Sequence, residues 1–288
     1  MATFKDFRNK VKPNWCPGCG DFSVLAALQR ALASVGTEPE EVALVSGIGC
    51  SGRISGYTHS YGFHGIHGRS LPIAQGLKLA NRDLTVIAAG GDGDGFAIGL
   101  NHTMHAIRRN INITYIVMDN QVYGLTKGQT SPRSAVGFKT KSSPQGTIES
   151  ALNPMEMALS AGATFLAQGF SSDLKQMTRI IEEGIRHEGF SLINVFSPCV
   201  TYNKVNTYEW FKTNLSNLDE EEAYDASNRL HAMQKLMEHE GWLTGIIYQN
   251  KEQPPYEQLV RGFAEKPLAH LDVRLEKEKF EELMMEFA

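Results

Sequence analysis

Short apolar runs alternate with segments of helical periodicity over roughly the first two thirds of the chain. The apolar runs occupy residues 42–45, 84–89, 113–118, 163–167 and 191–196. Helical spacing of apolar side chains covers residues 21–35, 70–80, about 96–108, 154–161 and 172–187. Strands that are apolar on both faces and alternate with helices are typical of a parallel sheet covered by helices on each side. The pattern therefore predicts an α/β fold of three layers.

Local signals mark where these elements begin and end. Asp21 is expected to cap the first helix, and Gly36 is expected to end it. Pro72 fits the first turn of the second helix, where its missing N–H has no cost. The glycine- and histidine-rich residues 52–69 and the polar residues 124–150 are expected to form loops.

The last third of the chain is more charged and less regular. Helices are predicted at residues 219–238 and 274–287, with an apolar stretch at 242–248 between them. We therefore predict one domain at residues 1–204 that carries the chemistry. Residues 205–288 are expected to form a C-terminal extension and not an independent domain.

Composition narrows the class of protein. The chain has 288 residues, enough for one large domain with a buried core. The formal net charge of −4 gives no support to nucleic-acid binding, which favours a basic face. No apolar stretch approaches the roughly 18 residues of a membrane span, and the N-terminus lacks the apolar core of a signal peptide. No membrane association is expected, and the cytoplasm is the expected compartment.

Two of the apolar runs end in side chains that carry oxygen ligands. One run ends at Gly91-Asp92-Gly93 and the next ends just before Asn120. Magnesium is commonly held by a few protein oxygens together with the phosphates of a ligand. Asp92 supplies charge, Asn120 a neutral oxygen, and the carbonyl of Val122 completes the protein ligands where the chain turns. The glycines let the backbone approach a diphosphate, so we predict a metal–diphosphate site.

The spacing of these residues narrows the ligand. Gly91-Asp92-Gly93 is separated from Asn120 by residues 94–119, which matches the thiamine diphosphate fingerprint. The helix that begins near Gly95 points the positive end of its dipole toward the same place. A Gly-Asp-Gly alone occurs in many turns, so the surrounding strand, turn, helix and strand carry the assignment.

The four cysteines lie in turn-like sequence, at Cys16, Cys19, Cys50 and Cys199. Cys50 and Cys199 follow the carboxyl ends of predicted strands, as Asp92 and Asn120 do, and ligands bind at that edge of a parallel sheet. A disulfide framework is not expected in a cytosolic chain. Four such cysteines fit structural zinc or an iron–sulfur cluster. A thioredoxin-like pair is less favoured, because no strand precedes the Cys-Pro-Gly-Cys turn.

Five motifs stand in order along residues 12–210: Trp15-Cys16-Pro17-Gly18-Cys19-Gly20, Gly47-Ile48-Gly49-Cys50-Ser51, His67-Gly68-Arg69, Gly91-Asp92-Gly93-Asp94 and Gly124-Leu125-Thr126-Lys127-Gly128-Gln129. Together they resemble the β subunit of 2-oxoacid:ferredoxin oxidoreductases. The similarity extends to Asn203-Lys204-Val205. It implies the thiamine diphosphate-binding fold of the type that holds the diphosphate.

The resemblance implies three cofactors: thiamine diphosphate, Mg²⁺ and one [4Fe–4S] cluster. The implied magnesium ligands are Asp92, Asn120 and Val122, and the implied cluster ligands are Cys16, Cys19, Cys50 and Cys199. The residues implied to contact thiamine diphosphate are Ile48, Gly49, Cys50, Ser51, His67, Gly91, Gly93, Asp94, Tyr123, Gly124 and Leu125. No covalent catalyst is expected from this chain, because the nucleophile belongs to the cofactor.

The implied activity is oxidative decarboxylation of a 2-oxo acid to an acyl-coenzyme A and CO₂. The electrons pass to ferredoxin, and a cluster suits this step because it takes electrons one at a time. Residues 123–129 are more similar to the 2-oxoglutarate version of the family than to the pyruvate version. Lys127 is a candidate for holding the distal carboxylate of such a substrate, and Arg53 is a candidate for a substrate carboxylate. Both residues also fit solvated surface positions.

The resemblance also implies a partner, the α subunit of the same enzyme. Thiamine enzymes need a glutamate beside the aminopyrimidine ring, and in this family the partner subunit supplies it. The nearest candidates in this chain are Glu38, Glu40 and Glu41, which precede the first predicted strand and lie at the wrong edge of the sheet. We therefore expect a shared active site.

Two other functions fit the same residues. The first is a non-oxidative thiamine-dependent decarboxylase or ligase with structural zinc on the cysteines. The second is a non-catalytic metal-binding assembly subunit that has kept the fold. The metal content of anaerobically purified protein tests the first, and dye reduction by the complex with the α subunit tests the second.

Overall fold

The computed structural model describes residues 2–260, 267–272 and 274–287. Its strands are β1 (Val42–Ser46), β2 (Tyr61–His64), β3 (Thr85–Gly91), β4 (Ile113–Asp119), β5 (Val122–Tyr123), β6 (Gln129–Thr130), β7 (Phe165–Phe170), β8 (Phe190–Phe196), β9 (Ser216–Asn217) and β10 (Leu243–Gln249). Its helices are α1 (Asp21–Val35), α2 (Ser70–Ala80), α3 (Leu100–Arg109), α4 (Pro154–Ser160), α5 (Leu174–Arg186), α6 (Tyr208–Asn214), α7 (Arg229–Glu238), α8 (Tyr256–Leu259) and α9 (Lys277–Met285).

The main sheet has eight strands in the order β2-β1-β3-β4-β8-β7-β10-β9. The five apolar runs form its centre, where β1, β3, β4, β8 and β7 are parallel neighbours. The strands β4, β7 and β8 are buried along their whole length. Because both faces are covered, these strands need no alternation of polar and apolar side chains. The predicted α/β sheet is confirmed.

Helices cover both faces of this sheet. On one face α1 and α5 supply Leu28 and Ile180, which belong to the same buried cluster as Leu44 of β1. On the other face α2, α3, α4 and α7 contribute to a second cluster, which includes Val45 of β1. Consecutive side chains of a strand point to opposite faces, so Leu44 and Val45 enter different clusters. The three-layer architecture follows.

The first helix has the predicted bounds but not the predicted start signal. Gly36 ends α1 in the left-handed conformation with φ 82°. The expectation that Asp21 caps the helix is wrong, because the N-cap is Gly20 and no side-chain cap is formed. The Asp21 carboxylate instead accepts a hydrogen bond from Ser197 Oγ at 2.6 Å. The Asp21 side chain therefore bonds to a buried residue that is distant in sequence, and not to the backbone of its own helix.

One loop prediction and one helix prediction change in part. Residues 52–69 contain β2, which pairs with β1 at the edge of the sheet. All four residues of β2 are exposed, so its sequence carries no burial pattern. The helix predicted at about 96–108 begins with a π-type turn at Asp94–Ile98 and continues as α3.

The helix predicted at 219–238 is wrong over its first half. A 3-10 turn spans Leu218–Glu220, and α7 begins only at Arg229. Four consecutive acidic residues at 219–222 disfavour a helix there, because like charges crowd one another within a turn. The Asn228 side chain accepts hydrogen bonds from the next turn and provides the cap.

The apolar stretch predicted at 242–248 forms β10, which runs antiparallel to β7. The sheet is therefore mostly and not wholly parallel, and the C-terminal extension adds two strands to it, β10 and β9. The boundary at residues 204 and 205 stays a prediction. The helix expected at 274–287 is α9, and in the described part of the chain neither it nor another helix is long and apolar enough to cross a bilayer.

The parallel strands set the position of the site. The carboxyl ends of β1, β3, β4 and β8 meet at one edge of the sheet, because each of these strands pairs in parallel with the next. The loops that follow them at this edge are residues 47–50, 92–93, 120–121 and 197–199. Residues from distant parts of the sequence therefore approach one another there.

Candidate functional site

A cavity of about 100 Å³ lies among the loops at this edge. It is lined by Ile48, Gly49, Cys50, Ser51, His67, Gly91, Asp92, Gly93, Asp94, Asn120, Val122, Tyr123, Gly124, Leu125 and Thr126. The structure thus brings together every residue predicted to contact thiamine diphosphate or magnesium, and adds Thr126. We call this space the cofactor cavity. The roles of the individual residues stay predictions.

Asp92 begins the loop after β3 and is 1% exposed. Its carboxylate accepts a hydrogen bond from the Ser131 hydroxyl. Burial, and then the nearby Asp119 carboxylate, raise the pKa of Asp92 to about 8. A divalent cation would stabilise the charged form of such a group, so the donor fits magnesium.

The chain reverses immediately after β4. Gln121 is buried and has a φ of 61°, a left-handed conformation that is uncommon for a residue other than glycine. Asn120 Oδ1 accepts a hydrogen bond from the Val122 N–H at 3.1 Å, and Asn203 donates to the Asn120 carbonyl at 3.1 Å. Such backbone strain persists only where surrounding contacts hold it, often at functional sites. The turn brings Asn120 and Val122 to the cofactor cavity together.

Asp94 ties three loops together, a function that the sequence did not reveal. Its Oδ1 accepts hydrogen bonds from the N–H groups of Ile48 at 3.0 Å and Gly68 at 2.8 Å, and lies 2.6 Å from His67 Nδ1. Its Oδ2 is buried and has no hydrogen-bond partner among the described residues. A Cβ at Gly47 would lie 2.0 Å from that oxygen, so only glycine fits there.

Tyr123 closes one side of the cofactor cavity. Its hydroxyl donates to the Gly93 carbonyl at 3.3 Å, and its ring meets His67 edge-on at 6.0 Å. A Cβ at Gly93 would lie 2.2 Å from the tyrosine ring. The second glycine of the Gly-Asp-Gly motif is therefore needed for close packing against Tyr123.

A buried ion pair between Arg133 and Asp119 lies next to the loops that line the cofactor cavity. Arg133 Nε donates to Asp119 Oδ2 at 2.8 Å, with the two side chains 7% and 0% exposed. The same short loop supplies Ser131 to Asp92 and Ser134 to the Gln121 carbonyl. Sequence reasoning missed all three residues, because they lie in a polar loop whose partners are set only by the tertiary fold.

Removal of this arginine is expected to destabilise the chain. Arg133→Met leaves the Asp119 carboxylate buried without its cation, which costs about 3–5 kcal/mol. The matched control is Arg179→Met, which breaks an exposed pair with Asp219 and should cost less than about 1 kcal/mol. Urea denaturation of the full-length chain measures both. Equal free energies of unfolding for the two variants would contradict the role of Arg133.

The four cysteines are free thiols, and two of them, Cys50 and Cys199, lie at the cofactor cavity. A Cβ on Gly124 would lie 3.6 Å from Cys199 Sγ and 3.7 Å from Cys50 Sγ, so these sulfurs flank the same backbone position. Burial raises the pKa of Cys19, and also raises that of Cys50 to about 11. Cys16 is the exposed member of the set. A metal centre would offset the cost of ionising the buried thiols.

Hydrogen bonds hold the loops that carry these thiols. The Trp15 indole donates to the Cys50 carbonyl at 2.7 Å, and the Tyr208 hydroxyl donates to the Gly18 carbonyl at 3.1 Å. Over the described ranges, no three His, Cys, Asp or Glu side chains converge tightly enough to hold one ion. The cysteine thiols and the Asp92 carboxylate are therefore spread over several loops and do not surround one ion.

The two candidate substrate residues are placed differently. Arg53 lines a second cavity of about 430 Å³, which shares Ile48, Gly49 and Leu125 with the cofactor cavity. Its guanidinium donates to Asn14 Oδ1 at 3.1 Å. Lys127 is exposed on the turn between β5 and β6 and lines neither cavity.

Comparison with known proteins agrees with this geometry. Residues 47–195 match the family model of the thiamine pyrophosphate enzyme C-terminal TPP binding domain, and residues 199–265 match the model for the C-terminal part of the pyruvate ferredoxin oxidoreductase beta subunit. The 2-oxoacid:ferredoxin oxidoreductase 2 subunit beta of Aeropyrum pernix is 39% identical, over 96% of this chain and 94% of that one. The corresponding subunit of Saccharolobus solfataricus is 44% identical, over 91% and 90%.

A solved structure extends the comparison to the whole fold. The 2-oxoglutarate:ferredoxin oxidoreductase of Magnetococcus marinus has a TM-score of 0.89 and 38% identity, and the match covers 98% of this chain and 96% of that one. These relatives span nearly the full length of both chains, and the thiamine pyrophosphate match contains the cofactor cavity. The chain is thus a β subunit of the 2-oxoacid:ferredoxin oxidoreductase family.

Proposed function

We propose that this β subunit, joined to an α subunit, oxidatively decarboxylates 2-oxoglutarate and passes the electrons to ferredoxin. One observation carries the proposal: the predicted cofactor and magnesium residues line one cavity, Cys50 is part of that lining, and the Cys199 thiol lies next to it. The Magnetococcus marinus enzyme, similar over the full chain, was solved with 2-oxoglutarate, coenzyme A and succinyl-CoA bound.

The reaction balances with two one-electron acceptors. One 2-oxoglutarate, one coenzyme A thiol and two oxidised ferredoxins give succinyl-coenzyme A, CO₂, two reduced ferredoxins and one proton. The carbon–carbon bond to the carboxylate breaks, and a thioester bond forms in its place. Two electrons leave the substrate, so a centre that accepts them singly must lie near the reacting carbon.

Within the cofactor cavity, this chain contributes binding and electrostatics. Asp92, Asn120 and the Val122 carbonyl would hold Mg²⁺, and the glycines beside Asp92 leave room for a diphosphate. Thiamine diphosphate supplies the nucleophilic carbon when bound. Asp94 holds the loops of Ile48 and His67 at the cofactor cavity, where they would contact the cofactor.

The thiols suit a [4Fe–4S] cluster. Cys16, Cys19, Cys50 and Cys199 come from three loops, and the thiols of Cys50 and Cys199 flank Gly124, which itself lines the cofactor cavity. A cluster binds each thiolate at a different iron, so it spans donors that do not converge on one ion. Thiols held in this way persist in the reducing cytoplasm, the compartment that we propose.

The α subunit would complete the active site. Glu38 and Glu41 form a capping box around a 3-10 turn at Pro39–Glu41, which leads into the amino end of β1. The cofactor cavity lies beyond the opposite end of that strand. These acids therefore cannot reach it, which supports a glutamate supplied by the partner.

The test of the proposal is a substrate panel on the anaerobically reconstituted complex of the α and β subunits. We expect 2-oxoglutarate to support ferredoxin reduction with a higher kcat/KM than pyruvate, and the protein to contain iron and sulfide in a ratio near one. Colourless protein that contains zinc would favour the non-oxidative decarboxylase. A complex that takes electrons from no 2-oxo acid would contradict the proposal as a whole.

If Arg53 or Lys127 binds the distal carboxylate, its removal should change the KM for 2-oxoglutarate but not the KM for pyruvate. Arg53→Ala or Lys127→Ala should raise the KM for 2-oxoglutarate about tenfold and leave the KM for pyruvate nearly unchanged, because only 2-oxoglutarate carries a second carboxylate. Steady-state kinetics with both substrates measures this. Lys251→Ala, beyond the far end of β10, is the control. A residue whose removal affects both substrates equally does not recognise the distal carboxylate.

A further inference from the structure

Charge is distributed unevenly between the two edges of the sheet. Residues 7–20, 42–82, 120–148 and 190–208 supply much of the carboxyl edge, and these four segments contain no Asp or Glu. The whole chain has 32 acidic and 28 basic residues, so the acids lie elsewhere. The segregation is a property of the fold, because the segments are far apart in sequence.

Four acidic side chains at this edge are hidden, whereas Asp173, after β7, and Glu209, in α6, are exposed. Asp21, Asp92, Asp94 and Asp119 are each at most 2% exposed. Four lysines of the same region are exposed, namely Lys10, Lys12, Lys127 and Lys204. The surface formed by residues 7–20 and 199–205 therefore carries exposed lysines and no acid, although the chain as a whole is negative.

The exposed thiol lies within this positive surface. Cys16 is exposed, whereas the other three cysteines are partly buried. Lys10 and Lys12 precede it along an exposed segment, and Lys204 lies on the loop after Cys199, where its ammonium contacts the Val200 carbonyl. The two segments touch, because a Cβ at Gly18 would lie 3.7 Å from the Val200 side chain. Lysines therefore approach the thiol from two sides.

Apolar groups complete the patch. Val11 lies between the two N-terminal lysines and is 55% exposed, and Val205 follows Lys204 and is 57% exposed. Small interfaces with an apolar centre and a charged rim are typical of transient redox complexes, in which charge guides the encounter. The patch therefore surrounds Cys16, the cysteine of the four that is exposed to solvent.

We propose that Lys10, Lys12 and Lys204, with Val11 and Val205, form the docking surface for the acidic electron carrier, and that electrons leave the protein at Cys16. This inference rests on the proposed function and adds the location of the exit. The carrier is a ferredoxin of net negative charge, because its charge complements the lysines. Small anionic substrates would enter past Arg53, in the cavity adjoining the cofactor, and this cavity meets the docking surface at Val11.

Charge reversal on the assembled holoenzyme tests the docking surface. The variants are Lys12→Glu, Lys204→Glu and their combination, and the control is Lys251→Glu, which changes the charge equally at the opposite edge of the sheet. Lys127 is left intact because it is a substrate candidate. At low ionic strength the double variant should raise the KM for an acidic ferredoxin about tenfold and make it less sensitive to salt.

Three readouts keep the outcomes distinct. The kcat with methyl viologen and the iron content should stay within about twofold of wild type, since small-molecule reduction needs no docking. Direct binding of oxidised ferredoxin, measured by calorimetry, should weaken in parallel with the KM.

An unchanged ferredoxin KM in the double variant overturns the docking surface. Failure of that variant to assemble with the α subunit also overturns it, because the lysines then belong to the subunit interface. A wild-type complex that reduces methyl viologen with 2-oxoglutarate but no ferredoxin refutes the assigned carrier. A complex that reduces neither refutes the proposed function itself.

Discussion

Replacement of Asp92 by alanine is expected to abolish the binding of thiamine diphosphate in the presence of Mg²⁺. Asp92 is the carboxylate donor of the proposed magnesium set, and it lies buried in the cofactor cavity. Without its charge, the ion has only neutral protein oxygens and the diphosphate is no longer held. We expect affinity to fall at least about 100-fold, or about 3 kcal/mol.

Calorimetric titration of the cofactor-free complex with thiamine diphosphate and Mg²⁺ measures this loss. Asp83→Ala is a matched control, because Asp83 is an exposed acid just before the same strand, β3, at its amino end. Its removal should leave the affinity unchanged. Wild-type affinity in Asp92→Ala would rule out Asp92 as the metal ligand.

Replacement of Cys199 by serine is expected to remove most of the iron. Its thiol faces Cys50 across Gly124, so the proposed cluster would lose one of its four ligands. Iron and sulfide analysis of anaerobically purified protein, with the visible absorption spectrum, measures the loss. Ferredoxin reduction should disappear, because the electrons have no one-electron path out of the site.

Cys199 is the informative choice because it does not line the cofactor cavity, whereas Cys50 does. Thiamine diphosphate affinity in Cys199→Ser should therefore stay near the wild-type value. Thr201→Ala, an exposed change two residues away, should retain iron and is the control. Wild-type iron content in Cys199→Ser would show that this thiol is not a cluster ligand.

Much of the site was predictable because it depends on strand ends. Gly91-Asp92-Gly93 and Asn120 follow apolar runs whose direction is fixed once the sheet is parallel. Strand, turn and glycine signals are local, and they bring the predicted residues to one cavity. The tight packing of Gly47 and Gly93 explains why the motifs need glycine at those positions.

Other features were not predictable from local pattern. The edge strand β2 is wholly exposed, so burial leaves no trace in its sequence. Asp21 looks like a helix cap but bonds to Ser197, which is distant in sequence. Arg133 looks like a loop cation but forms a buried pair with Asp119.

The sequence alone determined the α/β class, the order of the central strands along the chain and the residues at their carboxyl ends, because hydrophobic periodicity and turn chemistry are local properties. The tertiary structure alone decided the spatial order of the strands, the antiparallel β10, the support of the cofactor cavity by Ser131 and Arg133, and the positive surface around Cys16. These features depend on contacts between residues far apart in sequence. Such contacts form only when the sheet assembles and brings the distant segments together, so local sequence patterns do not reveal them.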